Sequence, residues 1–513
     1  MSWQEIGARI PPDLDHYGRV LSFEEAHARR FGLTRQLRYL ENRKYYHGAV
    51  EPDNVEQPLD VRYIPRIIEK HVHYLWGQYE RDIVNWTVTA EDEELAAKVT
   101  RALYTLMRRI DVNDIFLRGS LDGALYGDTV FKLRFDERHG ARLDVILPEY
   151  YHAIWHPLDI GQTLEAVIAY PLERAVARRL FGQDGNRSYR HTPLDPNLVV
   201  VWEWWSEEET MLAIDDTVVV HMMNPYRAKP SSPAWLPLVH IPNLPINGEY
   251  YGFGDAEAVH SLQDELNLRL ADLGDIVNYH AHPIVLLRNT FKAREEFETG
   301  PDKIWDLGRE GEAEYLQWSG TPPSVFEYIE LVLRVMLDTA SLTPVAFGRA
   351  EQSQASGSAL VVQMLPVIEV ARRKRAVWHS RLSLIARRLL ELEIMGRTER
   401  AFQERWGFGL ADLEQVEITP RWAPMLPRDR AQVVNENVTL LANKARSILR
   451  ALQDLGEDDA AREREQIIAD LREFGQLALQ LKAQEITQPA SDLLNRDGGK
   501  NSDRAGERMR EDL

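Results

Sequence analysis

The chain contains no cysteine among its 513 residues. Disulfide bonds and metal centres held by cysteine thiolates are therefore excluded. The absence also fits a reducing compartment, where disulfides rarely persist.

Long apolar runs are missing as well. No stretch approaches the ~18 consecutive apolar residues of a membrane-spanning helix. The beginning, MSWQEIGARIPPDLDHYG, lacks the basic end and apolar core of a secretory signal. We therefore expect a soluble protein with no membrane partner.

Positive charge is in short supply. Lys and Arg number 61 against 80 Asp and Glu, which gives a formal net charge of −19. A protein that grips DNA by neutralising phosphates should be basic, so strong DNA binding is disfavoured. An acidic wall would instead let a polyanion pass without sticking. The length suggests about three domains, and 44% hydrophobic residues can fill their cores.

The first part of the chain reads as helical to about residue 118, with a short strand at IVNWTVTA. In DEELAAKVTRALYTLMRRI, Leu95, Val99, Leu103 and Met107 recur at helical spacing. From about residue 121 apolar and polar residues alternate around a His-Gly turn. This pattern predicts a hairpin within a β-rich region that continues to about Pro245.

Two amphipathic helices are predicted next, from Asp255 to about His282 and from Ser324 to Leu342. Asp255 is expected to be the N-cap of the first, and Pro283 to end it. Both carry acidic residues off the apolar stripe: Asp264, Glu265, Asp272, Asp275, Glu327, Glu330 and Asp338. A compact αβ insertion between them bears a mixed-charge group: Arg288, Lys292, Arg294, Glu295 and Glu296.

The stretch AFGRAEQSQASGSALVVQM, residues 346–364, interrupts this helical texture with small and amide side chains. A long helix to about Met395 follows, and Pro366 predicts a kink in it. The basic cluster Arg372–Arg375 lies downstream. Two more helices are predicted at 429–453 and 458–482, and the polar tail from 483 is expected to be disordered.

No motif specifies an active site. GGKNS at Gly498 lacks the first glycine and the preceding strand of a phosphate loop. Two histidine pairs spaced i, i+2 (His71 with His73, His280 with His282) place their rings on different helix faces, and no third ligand is indicated. His152 and His156 likewise suggest ordinary structural histidines. We therefore expect no enzyme activity, no metal and no cofactor.

The order of segments resembles the portal proteins of tailed double-stranded DNA bacteriophages, over nearly the whole chain to about residue 482. The likeness lies in RKYYHGAV with NVEQPLDVRYIPRIIEKHVHYLWGQ, in the glycine-then-hairpin stretch ALYGDTVFKLRFDERHGARLDVILPEYYHAIWHP, in a helix with a central Asn267, in LTPVAFGRAEQSQASGSALVVQM, and in KARSILRALQDLGEDDAAREREQIIAD.

The resemblance implies a mixed α+β, predominantly helical fold with wing, stem, clip and crown parts and a long kinked helix. The parts are a wing at 1–254, stem helices at 255–282 and 324–342, a clip at 283–323, a tunnel loop at 343–357, a wing helix and linker at 358–428, a crown at 429–482 and a tail at 483–513. Portals form closed rings, usually of about twelve subunits, at one capsid vertex within the major capsid or scaffold protein.

Double-stranded DNA passes through the axis of such a ring, without sequence preference, during packaging and ejection. Terminase docks on the clip and head–tail connector proteins later replace it, which suits the mixed-charge group there. In the tunnel loop, amide and small groups would touch DNA fleetingly, with Phe347 packing at the base and Arg349 contacting the backbone. The loop residues in question are Phe347, Arg349, Gln352, Ser353, Gln354, Ser356 and Gly357.

Alternatives stay open from the residues alone. The alternative for the loop is an ordinary helix–helix connection with Ser356 or Ser358 as the cap of the next helix. The acidic stem residues would line the lumen, or face a neighbouring subunit and pair with Arg269 or Arg334, or form a solvated face. A metal-dependent hydrolase and a capsid or tail adaptor without a channel are the other functions considered.

Overall fold

The computed structural model of the chain separates into two compact units, Met1–Leu426 and Pro427–Leu513. With 54% helical and 22% strand residues, it confirms a mixed α+β fold in which helix predominates. The structure describes residues 33–48, 60–79, 81–156, 158–182, 197–215, 217–226, 234–281, 284–289, 307, 310–316, 323–349, 361–426, 430–455 and 460–487.

The first unit begins with helices, as predicted. They are α1 (Leu33–His47), α2 (Ile64–Trp76), α3 (Glu93–Ile110) and α4 (Val112–Tyr126), with strand β1 (Asn85–Thr89) before α3. The Asp92 side chain caps α3 by accepting a hydrogen bond from the Glu94 amide. The apolar face predicted for α3 is confirmed, since Val99 and Leu103 are fully buried.

The predicted hairpin is confirmed as β2 (Asp128–Asp136) and β3 (Gly140–Ile146), and β9 (Leu238–Pro242) pairs with the other edge of β2. Gly140 has φ +78°, and a Cβ there would lie 2.5 Å from Oε2 of Glu393, so the turn requires glycine. A five-stranded antiparallel sheet consists of β4 (Tyr151–Trp155), β5 (Thr163–Glu173), β6 (Leu198–Ser206), β7 (Glu209–Ile214) and β8 (Thr217–Met223), with α5 (Arg174–Phe181) between β5 and β6.

A helical hairpin then leaves this region. It consists of α6 (His260–Ala281), the antiparallel strands β10 (Ile284–Arg288) and β11 (Glu312–Leu316), and α7 (Pro323–Thr339). The predicted order of helix, small insertion and helix is thus observed. The expectation that Asp255 caps the first helix was wrong, because a 3-10 turn at Glu257–Val259 precedes α6 and Asp255 is buried in an ion pair.

Helix α8 (Leu365–Gly396) runs through both large cores of the first unit. Its first turns contribute Val367 and Ile368 to the core at the base of the hairpin, and Trp378 and Leu382 lie in the other core. Helices α9 (Glu399–Trp406) and α10 (Leu410–Leu413) follow it, and β12 (Glu417–Arg421) pairs antiparallel with β1 near the other end of the unit's sequence.

The second unit contains α11 (Arg430–Ala442), α12 (Ile448–Asp454) and α13 (Ala460–Thr487) in its described part. The single helix predicted at 429–453 was wrong, because it is divided after Ala442. Lys444 has φ +55°, which ends a right-handed helix, and Oδ1 of the buried Asn437 accepts a hydrogen bond of 2.6 Å from Arg446 across the break.

Candidate functional site

The α6–α7 hairpin enters the core at only one end. Leu266 in α6 and Val332 in α7 are buried. No described side chain at 267–278 or at 324–331 is buried. Half of each helix therefore extends beyond the packed part of the unit, with the β10–β11 pair following at the distal end.

One side of α7 is apolar and exposed. Tyr328, Leu331 and Val335 follow each other at steps of three and four and are 43%, 51% and 41% exposed. On α6, Leu268 and Val277 are 46% and 56% exposed. Apolar side chains repeated along a projecting element are typical of an interaction surface rather than of scattered surface residues.

Three of the seven predicted acidic residues are held within this chain. Arg269 donates hydrogen bonds to Glu265 at 2.7 Å and to Asp272 at 2.9 Å, and all three residues are on α6. The hydrogen bond from Arg269 to Glu265 lowers the pKa of Glu265. The Tyr45 hydroxyl donates to Asp264 at 2.6 Å. Arg269, predicted to pair with a neighbouring subunit if the acids faced one, thus finds its partners on its own helix.

The other four acidic residues are exposed and make no ion pair with any residue the structure describes: Asp275, Glu327, Glu330 and Asp338. Three of them lie on α7, on the same side as Arg334. That side differs from the apolar stripe at Tyr328, Leu331 and Val335, because the two sets are offset by about a quarter turn of the helix. Charged and apolar stripes therefore run in parallel along the hairpin.

Buried polar contacts anchor the base of the hairpin. Lys374 of α8 forms an ion pair with Asp255, which also accepts a hydrogen bond of 2.8 Å from Asn243. The His71 ring of α2 bonds the Ala340 carbonyl at the end of α7, over 2.9 Å. Burial lowers the pKa of both Lys374 and His71. The basic cluster at 372–375 is therefore not a continuous surface patch.

Two further anchors were missed by the sequence argument. The Gln263 side chain accepts from the Tyr63 amide at 3.0 Å and donates to the Val61 carbonyl at 2.5 Å. Asn267, one turn later, accepts from the Val61 amide at 3.2 Å. Amides spaced i, i+4 on one helix face were the available signal, since they can bind an extended backbone as a neighbouring strand would.

The loop after α7 begins with a 3-10 turn at Pro344–Phe347, followed by Gly348 at φ +76°. Phe347 packs against the core at the hairpin base, the position expected for it, and Arg349 is exposed. The remaining predicted loop residues lie outside the described part of the chain: Gln352, Ser353, Gln354, Ser356 and Gly357.

Pro366 occupies the first turn of α8, where its missing amide hydrogen costs little. The interruption of helical structure lies at Met364, which separates a helical segment at 361–363 from α8.

In the mixed-charge group predicted to bind partners, Arg288 is exposed and is the register partner of Glu312 on the neighbouring strand. The other four members lie outside the described residues: Lys292, Arg294, Glu295 and Glu296.

The described histidines have ordinary structural contacts. His73 bonds Gln78 at 3.2 Å, His152 bonds Arg35 at 3.0 Å, and the His156 ring accepts two backbone amides. Within the described ranges no three His, Asp or Glu side chains come together in a group that could hold a metal ion. The side chains of His280 and His282 lie outside those ranges.

Among the helices that the structure describes, none combines the length and the apolar character needed to cross a membrane. No known family model matches this chain, and no curated protein matches its sequence.

Proposed function

We propose that this chain is a portal-type subunit. Copies of it form a closed ring at one vertex of a phage capsid, within the major capsid or scaffold protein. Double-stranded DNA moves through the ring during packaging and ejection, and terminase and then head–tail connector proteins dock at 283–323. No copy performs catalysis.

The observation that supports this proposal most is the half-projecting hairpin. Its apolar stripe at Tyr328, Leu331 and Val335 is on α7, where Phe326 is also exposed, and Leu268 and Val277 are exposed on α6. Burying such side chains stabilises an interface by about 25 cal/mol per Å². A second hairpin alongside the first is the partner of matching length.

The hairpin exposes apolar residues on each of its two helices, and two separate patches made of different residues favour a ring. A two-fold dimer uses one patch on both copies, whereas two unlike patches make a head-to-tail contact that repeats. When the rotation between copies closes, the product is a ring. The hairpins would then stand side by side around an axis.

The acidic residues left without a partner in the described chain suit a channel for DNA. Asp275, Glu327, Glu330 and Asp338 would repel phosphates if they lined the axis, so the polymer would slide and not adhere. The net charge of −19 acts in the same direction. The loop at 343–357 follows α7 directly, so it would emerge at the same ring.

Electron microscopy of the purified protein, combined with its mass in solution, tests the proposal. We expect a large oligomer that forms a ring with an axial hole wide enough for duplex DNA, and no ATP hydrolysis. A pore-free particle would contradict the proposal and favour an adaptor. A monomer that binds stoichiometric divalent metal and turns over substrate would contradict it in favour of a hydrolase.

A further inference from the structure

Helix α2 comes from the first 80 residues yet lies against the base of the 343–357 loop. Ile67 and Ile68 of α2 belong to the same buried core as Ala346, and Phe347 packs on that core. The Lys70 ammonium lies 5.8 Å from the centre of the Phe347 ring, within the range of a cation–π contact. Lys70 therefore lies at the base of the loop, beside Phe347.

Lys70 has no counter-ion in the described part of the chain, although it is half-buried. Three other lysines have a carboxylate partner: Lys98 binds Glu94 at 2.8 Å, and Lys132 and Lys374 each contact a carboxylate. Lys44 and Lys444, which have no ion pair with a described residue, are exposed and not half-buried. One turn before Lys70, Arg66 forms an ion pair with Glu69 at 3.3 Å. Lys70 therefore contacts the aromatic ring of Phe347 and has no carboxylate partner among the described residues. Its ammonium group remains available to bind an anion from another molecule.

A second cationic side chain lies two residues after Phe347. Arg349 follows Phe347 and Gly348, is exposed, and its side chain makes no hydrogen bond or ion pair with any residue that the structure describes. Its backbone amide bonds the Pro344 carbonyl at 3.0 Å, which ties this position to the turn that carries Phe347. Burial lowers the pKa of His73, and the charge of Lys70 contributes to the same shift.

We infer that Lys70, positioned by Phe347, is a contact site for the phosphate backbone of duplex DNA at the base of the 343–357 loop. This inference rests on the proposed function, because a ring of copies repeats the cation around the polymer. A lysine is a compact point charge on a flexible stem, whereas an arginine binds phosphate in a bidentate manner. A point charge attracts a moving polyanion without fixing its register.

Affinity for DNA tests the inference. A random-sequence duplex of about thirty base pairs is titrated by fluorescence anisotropy against rings of Lys70→Glu, Lys70→Gln and Lys70→Arg at several salt concentrations. Lys98→Glu, with the same change in net charge on α3, is the matched control. Each variant is imaged to verify that rings form.

We expect Lys70→Glu and Lys70→Gln to weaken binding roughly fivefold or more at low salt, and to lower the salt slope by about 0.9 for each lost phosphate contact. Lys70→Arg should retain binding, and Lys98→Glu should match the native protein. Equal affinities for Lys70→Gln and Lys98→Glu, on intact rings, would overturn the inference. Native protein without rings would instead overturn the proposed function.

A positional test is possible because the chain has no cysteine. Lys70→Cys and, as control, Lys98→Cys each carry one thiol, which is offered a duplex with an activated disulfide tethered to a backbone phosphate. We expect a cross-link at position 70 only. Intact rings of Lys70→Cys that cross-link no better than those of Lys98→Cys would refute the contact.

Discussion

Lys374 and Asp255 form a buried ion pair that joins α8 to the residues leading into α6, across 119 positions of sequence. Lys374 is 3% and Asp255 8% exposed, and Asn243 supplies a further hydrogen bond to the carboxylate. Because α8 follows the 343–357 loop and Asp255 precedes the α6–α7 hairpin, this contact ties the helix after the loop to the start of the hairpin before it.

Removing one partner of this pair should destabilise the first unit strongly. Lys374→Ala leaves the Asp255 carboxylate buried without its counter-ion, which costs roughly 3–5 kcal/mol. The free energy of unfolding in urea measures the loss. Lys98→Ala removes an exposed pair with Glu94 and should cost less than about 1 kcal/mol. A cost below 1 kcal/mol for Lys374→Ala would show that water reaches the site.

Charge on the apolar stripe of α7 should prevent assembly without unfolding the subunit. Leu331→Lys and Val335→Lys place an ammonium where a neighbouring hairpin would pack, and both positions are about half exposed in the isolated chain. We expect mass measurement to show small species while the circular dichroism spectrum stays native. Leu158→Lys, at a residue that is 92% exposed elsewhere, should assemble normally. Full-size oligomers of both stripe variants would show that this surface is not the contact between neighbouring copies.

Asp122 of α4 should make stability fall as pH rises towards neutrality. Burial, with a smaller repulsion from Glu149, raises its pKa to about 7. A carboxyl whose folded pKa is raised contributes its stability below the unfolded value near 4, and loses it as pH rises through the folded value. Asp122→Asn, which mimics the protonated form, should therefore gain stability relative to the native chain at pH 8 but not at pH 4.

Urea midpoints at several pH values measure this effect. The control is Asp114→Asn on the same helix, which removes one carboxylate from an exposed ion pair with Arg118. Parallel curves for Asp122→Asn and the native chain from pH 4 to 8 would count against a proton on Asp122.

The uncharged side chains of the 343–357 loop offer a test of its assignment. Replacing Gln352 and Gln354 with Glu adds two negative charges per copy where DNA would pass, so repulsion should slow packaging while rings remain intact. Packaged DNA per capsid measures the effect, and Gln352→Asn with Gln354→Asn keeps the amides as a control. Normal packaging with the Glu variant would contradict a tunnel loop.

Local patterns in the sequence predicted the elements whose signal is periodic. The apolar face of α3, the β2–β3 hairpin and the two helices around a small insertion were found because spacing of 3.6 or 2 is visible in a short window. The predicted β-rich region likewise contains the five-stranded sheet.

Contacts between segments that are distant in sequence produce no pattern that a short window of sequence reveals. Asp255 has the residue type and position of an N-cap, yet its carboxylate binds Lys374, and nothing near either residue indicates the other. Gln263 and Asn267 bind the backbone at Val61, which no side-chain pattern at position 61 reveals. Lys70 reads as one more charge on an amphipathic helix until Phe347 is seen beside it.

The division between α11 and α12 also escaped prediction. The residues between them, NKARS, include neither glycine nor proline, so the apolar spacing continued across the break. Only the left-handed backbone at Lys444 and the bond between Arg446 and Asn437 reveal it.

The pairing of β1 with β12 sets a limit on how the first unit can be made. Thr89 and Glu417 are register partners, so a ribosome must add over three hundred residues after β1 before its partner exists. At about 5–20 residues per second, β1 spends roughly half a minute with open edges. Truncated chains that end before residue 417 would keep those edges exposed, so premature termination should yield aggregates and not smaller folded pieces.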